Sequence, residues 1–159
     1  MIQNRGRHLL VLLVLCAVSA CTTPPGASHG VPTIDEARGF LAQAVALAQR
    51  GDFKGLCAIG DGNCERSLDT AGRDAVPPAP PTVIGVRIRP TTTTGDQLSI
   101  GGVVLEMCGR DATGNPYHSQ MLVFRDGSDL RAINPVYWGN MTIAEGNSTA
   151  ASRGPRPTC

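Results

Sequence analysis

Cysteine and histidine offer the widest chemistry in this chain, and their spacing narrows it quickly. There are six cysteines, Cys16, Cys21, Cys57, Cys64, Cys108 and Cys159, and three histidines, His8, His29 and His118. A redox pair ordinarily separates its thiols by two residues. In "CAIGDGNC" six residues separate Cys57 from Cys64, and no adjacent base is present to depress a thiol pKa. Zinc favours compact ligand clusters, and the set Cys57, Cys64, Cys108 and His118 has no such spacing. The "GDGN" at Gly60 to Asn63 lacks the further carboxylates of a calcium loop. No serine sits in a nucleophile elbow, and neither a Walker loop nor a dinucleotide glycine pattern occurs. The residues therefore call for no cofactor and no metal, and they offer no catalytic constellation of their own.

The first two cysteines belong to a different problem. Arg5 and Arg7 precede a ten-residue apolar run, Leu9 to Val18, that ends at small residues, which is the layout of a secretory leader. A membrane-spanning helix needs about 20 apolar residues, so the run is short for a span. Val18, Ser19, Ala20 and Cys21 resemble a bacterial lipobox: an aliphatic residue, two small residues that admit a peptidase, and a cysteine nucleophilic enough to form a thioether. The resemblance implies that residues 1–20 are removed, Cys16 with them. Cys21 would then be acylated, with the lipid bilayer as its partner and the bacterial cell envelope as its place of work. Two or more acyl chains give stable anchoring where one is marginal. Residues 21–32 are rich in Pro, Gly, Ser and Thr and read as a flexible tether, with His29 as a solvated member of it.

An oxidising compartment changes the reading of the other thiols. Cys57, Cys64, Cys108 and Cys159 are an even set with three connectivities. Cys57 with Cys64 is favoured, because the glycines between them let the chain turn back, and the loop should stabilise by about 2.5 kcal/mol. Cys108 with Cys159 would close a longer loop, worth about 4 kcal/mol, in competition with pairing of the terminal cysteine between chains.

The elements that hold these residues follow from periodicity. The 159 residues, 42% hydrophobic and 17% charged, suit one globular core, and six aromatic residues make that core mainly aliphatic. Without Arg5 and Arg7 the chain carries 12 basic against 13 acidic residues, a net charge of −1 that implies no basic face for nucleic acid. Thr33 and Glu36 form a capping box ahead of Ile34, Ala37, Leu41, Ala44, Val45 and Ala48, which recur at helical spacing until Arg50 and Gly51. Asn63 and Gly72 bracket a short second helix, and "PPAPP" from Pro77 forbids helix and central strand alike. Period-two stretches follow. "TVIGVRIR" places Ile84, Val86 and Ile88 on one face, and "SIGGVVLEMC", "YHSQMLVFRD" and "LRAINPVYW" read as three more strands, with "TTTTGD" as a loop. The expected architecture is α+β: an N-terminal helix and a short second one packed on a curved antiparallel sheet of about four strands, spanning residues 33–145. Residues 146–159 have no apolar periodicity and form a disordered tail unless Cys159 ties it down.

From Thr33 to Ile143 the order helix, short helix and meander resembles the cone-shaped α+β domains of the nuclear-transport-factor-2-like and cystatin-like superfamily. The "GD" at Gly51 and Asp52 and the paired strands "GRDATGNPY" and "MLVFRDGSDLRAI" carry the likeness. The same arrangement recurs in small bacterial lipoproteins. Enzymes of that superfamily keep paired proton-transfer groups inside the cone. The resemblance thus implies two uses of the fold here. In one, His118 works with a nearby carboxylate such as Glu106 in an isomerase- or hydratase-like enzyme. In the other, which the single histidine of the folded segment favours, the domain is non-enzymatic and binds an envelope protein or small ligand. Tyr117, Tyr137 and Trp138 then either line a pocket mouth with His118 or plug the sheet ends. A structural or inhibitory module that offers a sheet edge is the third reading.

Overall fold

The computed structural model describes residues 30–143 and Cys159, so Cys16, Cys21, His29 and most of the tail lie outside the described residues. Within them, helices come first and a four-stranded antiparallel sheet follows. Helix α1 is Ile34–Gln49. The capping box is complete: the Glu36 backbone N–H donates to Thr33 Oγ1 at 3.2 Å, and the Thr33 N–H donates to Glu36 Oε2 at 2.8 Å. Ala37, Phe40, Leu41, Ala44, Val45 and Ala48 form its buried stripe, and Gly51 turns the chain out at φ 72°.

Helix α2, Phe53–Ala58, has no counterpart in the periodicity, because six residues are too few to show a stripe. Its signal is the cap: Asp52 accepts from the Gly55 N–H at 2.9 Å. A Cβ on Gly55 would come within 2.4 Å of that carboxylate, so the capped turn needs glycine. Helix α3, Cys64–Ala71, starts and stops where Asn63 and Gly72 predict, with Gly72 at φ 82°. Asn63, however, makes no side-chain cap bond and turns toward Asp61 instead. Cys57 and Cys64 are paired, Cα atoms 5.3 Å apart, and tie α2 to α3.

The sheet has the order β1-β4-β5-β6, with β1 Thr82–Arg89, β4 Gly102–Arg110, β5 Pro116–Asp126 and β6 Asp129–Ile133, all antiparallel and not closed into a barrel. Between β1 and β4 the expected "TTTTGD" loop is itself a hairpin, β2 Thr92–Thr94 and β3 Gln97–Ser99, turned by Gly95 at φ 59°. Threonines suit a strand, and Gly-Asp suits the turn. Two further corrections concern register and length. A bulge between Val83 and Gly85 takes up Ile84, so Val83 replaces Ile84 beside Val86 on the core face, while Ile88, opposite Val103, keeps the expected side but lies exposed. Strand β6 stops at Ile133, because Asn134 adopts φ 60° and Pro135 follows; "VYW" then drops into the core instead of extending the strand.

The sheet has two unlike faces. One carries Val103, Leu105, Met107, Tyr117, Met121 and Val123 beneath α1, in a single cluster with Leu56, Leu68, Val136, Tyr137 and Trp138. The other carries Val104 and Leu122, covered by Ile143 and flanked by Ile133. No described helix is long and apolar enough to cross a membrane.

Candidate functional site

The helix face of the sheet takes three of the four residues singled out for a pocket. Tyr117, Tyr137 and Trp138 are buried in the core, ring centres 6.2 and 5.0 Å apart, each pair edge to face. Tyr117 lies over Gly109, where a Cβ would come within 2.6 Å of the phenol oxygen. Trp138 donates its indole N–H to the Gly72 carbonyl at 3.0 Å, closing the end of α3. Burial pushes both phenol pKa values up, that of Tyr137 to about 12, so neither hydroxyl ionises at neutral pH. Among the described residues neither hydroxyl has a hydrogen-bond partner.

His118 alternates with Tyr117 along β5 and therefore points to the opposite face. There the ladder pairs Cys108 with His118 and Glu106 with Gln120, which makes Glu106 and His118 diagonal neighbours. Their Oε1 and Nε2 atoms are 3.2 Å apart, at ion-pair distance but without the alignment of a hydrogen bond. Gly85, opposite Glu106 on β1, makes room for the carboxylate; a Cβ there would approach Oε2 to 3.0 Å.

Beside this row, residues 140–143 run along the edge of β5. The Gln120 N–H donates to the Met141 carbonyl at 2.8 Å, the His118 N–H to Asn140 Oδ1 at 2.9 Å, and the Ile143 N–H to Gln120 Oε1 at 3.1 Å. The segment after β6 thereby satisfies the part of the β5 edge that β6 does not reach. Cys159 pairs with the fully buried Cys108, Cα atoms 5.9 Å apart, and returns the C-terminus to the same face.

A concavity lies beside this segment. A groove of about 530 Å³ runs between the α3 side and the segment after β6; Asp61, Asn63, Arg66, Thr70, Arg89 and Asn134 supply its polar lining, with Ile133 and Ile143 as its apolar part. Its volume falls within the usual range of small-ligand sites, about 300–1,000 Å³. A second groove of about 520 Å³ separates α1 from the start of β6, with Gln43, Asp129 and Arg131 among its lining. His118 and Glu106 line neither, and no cluster of three His, Cys, Asp or Glu residues among the described ones is placed to hold a metal. Sequence reasoning missed the first groove because its lining comes from four separate stretches.

Among the described residues the molecule is thus an α+β domain of three helices and an open four-stranded sheet, with one disulfide between α2 and α3 and another between β4 and Cys159. Compared with protein-family models, curated proteins and solved structures, the chain finds no match.

Proposed function

We propose that the chain is an exported, lipid-anchored module of the bacterial cell envelope, non-enzymatic, that binds a small polar ligand or a partner protein beside its C-terminal segment. The observation that carries this reading is the combination of a lipobox-like leader ending at Cys21 with two cysteine pairs in the domain that follows. Disulfides persist outside the cytoplasm, where such a leader would deliver the domain. The groove flanked by Arg66 and Arg89 supports the binding part, since its donors suit an acceptor-rich, anionic ligand.

Cys21→Ser should release the protein into the soluble envelope fraction. Retention on the membrane after a high-salt wash would remove the anchor from the reading. Incubating the mature protein with envelope extract, followed by ultrafiltration and mass spectrometry of retained small molecules, should give species that Arg66→Ala combined with Arg89→Ala loses; equal retention would move the site elsewhere. The alternative, an isomerase- or hydratase-like enzyme, is favoured only by the contact of His118 with Glu106. An unchanged phenotype in His118→Ala removes it.

A further inference from the structure

One end of the domain collects apolar surface that the core does not use. Among the described residues the exposed large apolar side chains are Val31, Ile34, Ile88, Leu98 and Ile100, with Ile88 and Leu98 more than 60% exposed. Strand directions place them together. β1 runs toward Arg89, β4 returns from Gly102, and the β2–β3 hairpin joins them at that end. β5 arrives at the same end, where Arg125 meets Glu36 in the first turn of α1, two residues after Ile34. At the opposite end, the turn after β4 meets the chain ahead of β1, with the Ala112 N–H on the Ala75 carbonyl. Single exposed apolar residues are ordinary; all five at one end are a patch.

The chain entering at this end is the one that leads back to Cys21. Nine residue steps separate Cys21 from Gly30. They span at most about 30 Å fully extended. If Cys21 is acylated, the patch is held within a domain's width of the bilayer, at an effective concentration that makes a weak surface contact persistent. We infer that this end of the domain rests on the lipid bilayer, with Ile88, Leu98 and Ile100 in the boundary between headgroups and acyl chains and the connector at residues 77–81 facing away. The inference rests on the lipid-anchor reading above. The charges at this end are mixed, Asp35, Glu36 and Asp96 against Arg89 and Arg125, with Arg125 already meeting Glu36, so no cluster of one sign forms and the contact is apolar and survives high salt.

The test uses the mature, full-length lipidated protein in phosphatidylcholine vesicles, with Trp138 as the buried background. Leu98→Trp adds a reporter in the patch, and Ala79→Trp adds one to the exposed connector at the far end. With lipids brominated along their acyl chains, the emission added by Leu98→Trp should fall about twofold and shift to the blue, while that of Ala79→Trp stays unchanged. If the protein floats with the vesicles but Leu98→Trp is no more quenched than Ala79→Trp, the inference is overturned and the anchor stands. A concentration-dependent dimer crosslinked through the patch, with Leu98→Trp unquenched, would also overturn it and give the patch to a second copy. Protein that fails to float overturns the anchor, and the inference with it.

Discussion

The two faces of the sheet are built from the same strands and covered by different means. Beneath α1, one continuous cluster of about twenty buried residues joins all three helices to β4 and β5. On the other face, Val104, Leu122 and Ile143 make a small satellite, and the rest of the row is Glu106, Cys108, His118 and Gln120, with a strap of chain along the β5 edge beside them. The first face is held by apolar area, which is additive and local. The second is held by a few hydrogen bonds from residues 140–143 and by the link from Cys108 to Cys159. The difference says where each kind of change will be felt. Loss of volume should matter most under the helix, and loss of connectivity most under the strap.

Breaking the strap's covalent tie should therefore have the largest effect. Cys159→Ser opens a loop of 51 residues, for which the chain-entropy model gives a loss of about 4 kcal/mol. Cys108 remains as a small buried side chain, so little packing is lost with it. Urea unfolding checks the magnitude. Hydrogen exchange checks the location, because the amides of His118 and Gln120, bonded to Asn140 and Met141, should lose protection before those of α1 do. Unchanged unfolding would mean that the pair does not close in solution.

Two leucines sharpen the contrast. Leu105 and Leu122 are both fully buried, the first under α1 and the second under Ile143. Leu105→Ala should cost about 3 kcal/mol, because helix and sheet cannot close on the gap, and Leu122→Ala about 2 kcal/mol, because the strap can settle into it. In the Cys159→Ser background the cost of Leu122→Ala should shrink, and that of Leu105→Ala should stay the same. Equal coupling at both sites would mean that the faces respond as one unit.

The sequence reveals the helix-covered face better than the strapped one, for a physical reason. Thr33, Glu36 and the stripe from Ala37 to Ala48 act within a few residues of one another, so the start of α1, its end at Gly51 and the stop of α3 at Gly72 are all local signals. The pairing of Cys57 with Cys64 follows from a short loop with glycines in it. What spacing hides is whatever depends on distant chain. The bulge at Ile84 turns Val83 to the core in its place and leaves the side of Val86 and Ile88 unchanged. Asn134 and Pro135 end β6 although "VYW" keeps the apolar pattern going, since those side chains belong to the core by another route. The strap, and the groove between Asn63, Arg66 and Asn134, exist only once residues 139–143 fold back on β5.

The core has a weakness of its own in its phenols. Tyr137 is fully buried with its hydroxyl unpartnered among the described residues, so the oxygen carries a desolvation cost without a bond to offset it. Tyr137→Phe keeps the ring against Tyr117 and Trp138 and removes that cost. Stability should rise by about 1 kcal/mol, read as a higher urea midpoint at unchanged slope. A loss of similar size would show that the hydroxyl is bonded, and that the helix-covered face is less dry than its packing suggests.

The smallest effect concerns the pin between helix and sheet. Glu36 closes the capping box with one oxygen and meets Arg125 of β5 with the other, at 2.5 Å. The Thr33 N–H first, and the Arg125 guanidinium second, hold its carboxyl below the ordinary value of 4.5. A carboxylate with a lowered folded pKa adds stability that is complete above its unfolded value and disappears as pH falls through the folded one. The contribution of Glu36 should thus be constant at neutral pH and fade below about 4.5. Because the group is partly solvated, salt should weaken it as well. Stability followed from pH 7 down to pH 3 should fall less steeply in Glu36→Gln than in the parent, with α1 amides losing protection in the parent as acid is added. The strap has no such carboxylate in its bonds to β5, which run from amides to a carbonyl, to side-chain amide oxygens and, from the Met141 N–H, to the Ser119 hydroxyl. Its amides should keep their order of protection through the same titration, and an acid-induced loss there before α1 would contradict the division of labour between the faces.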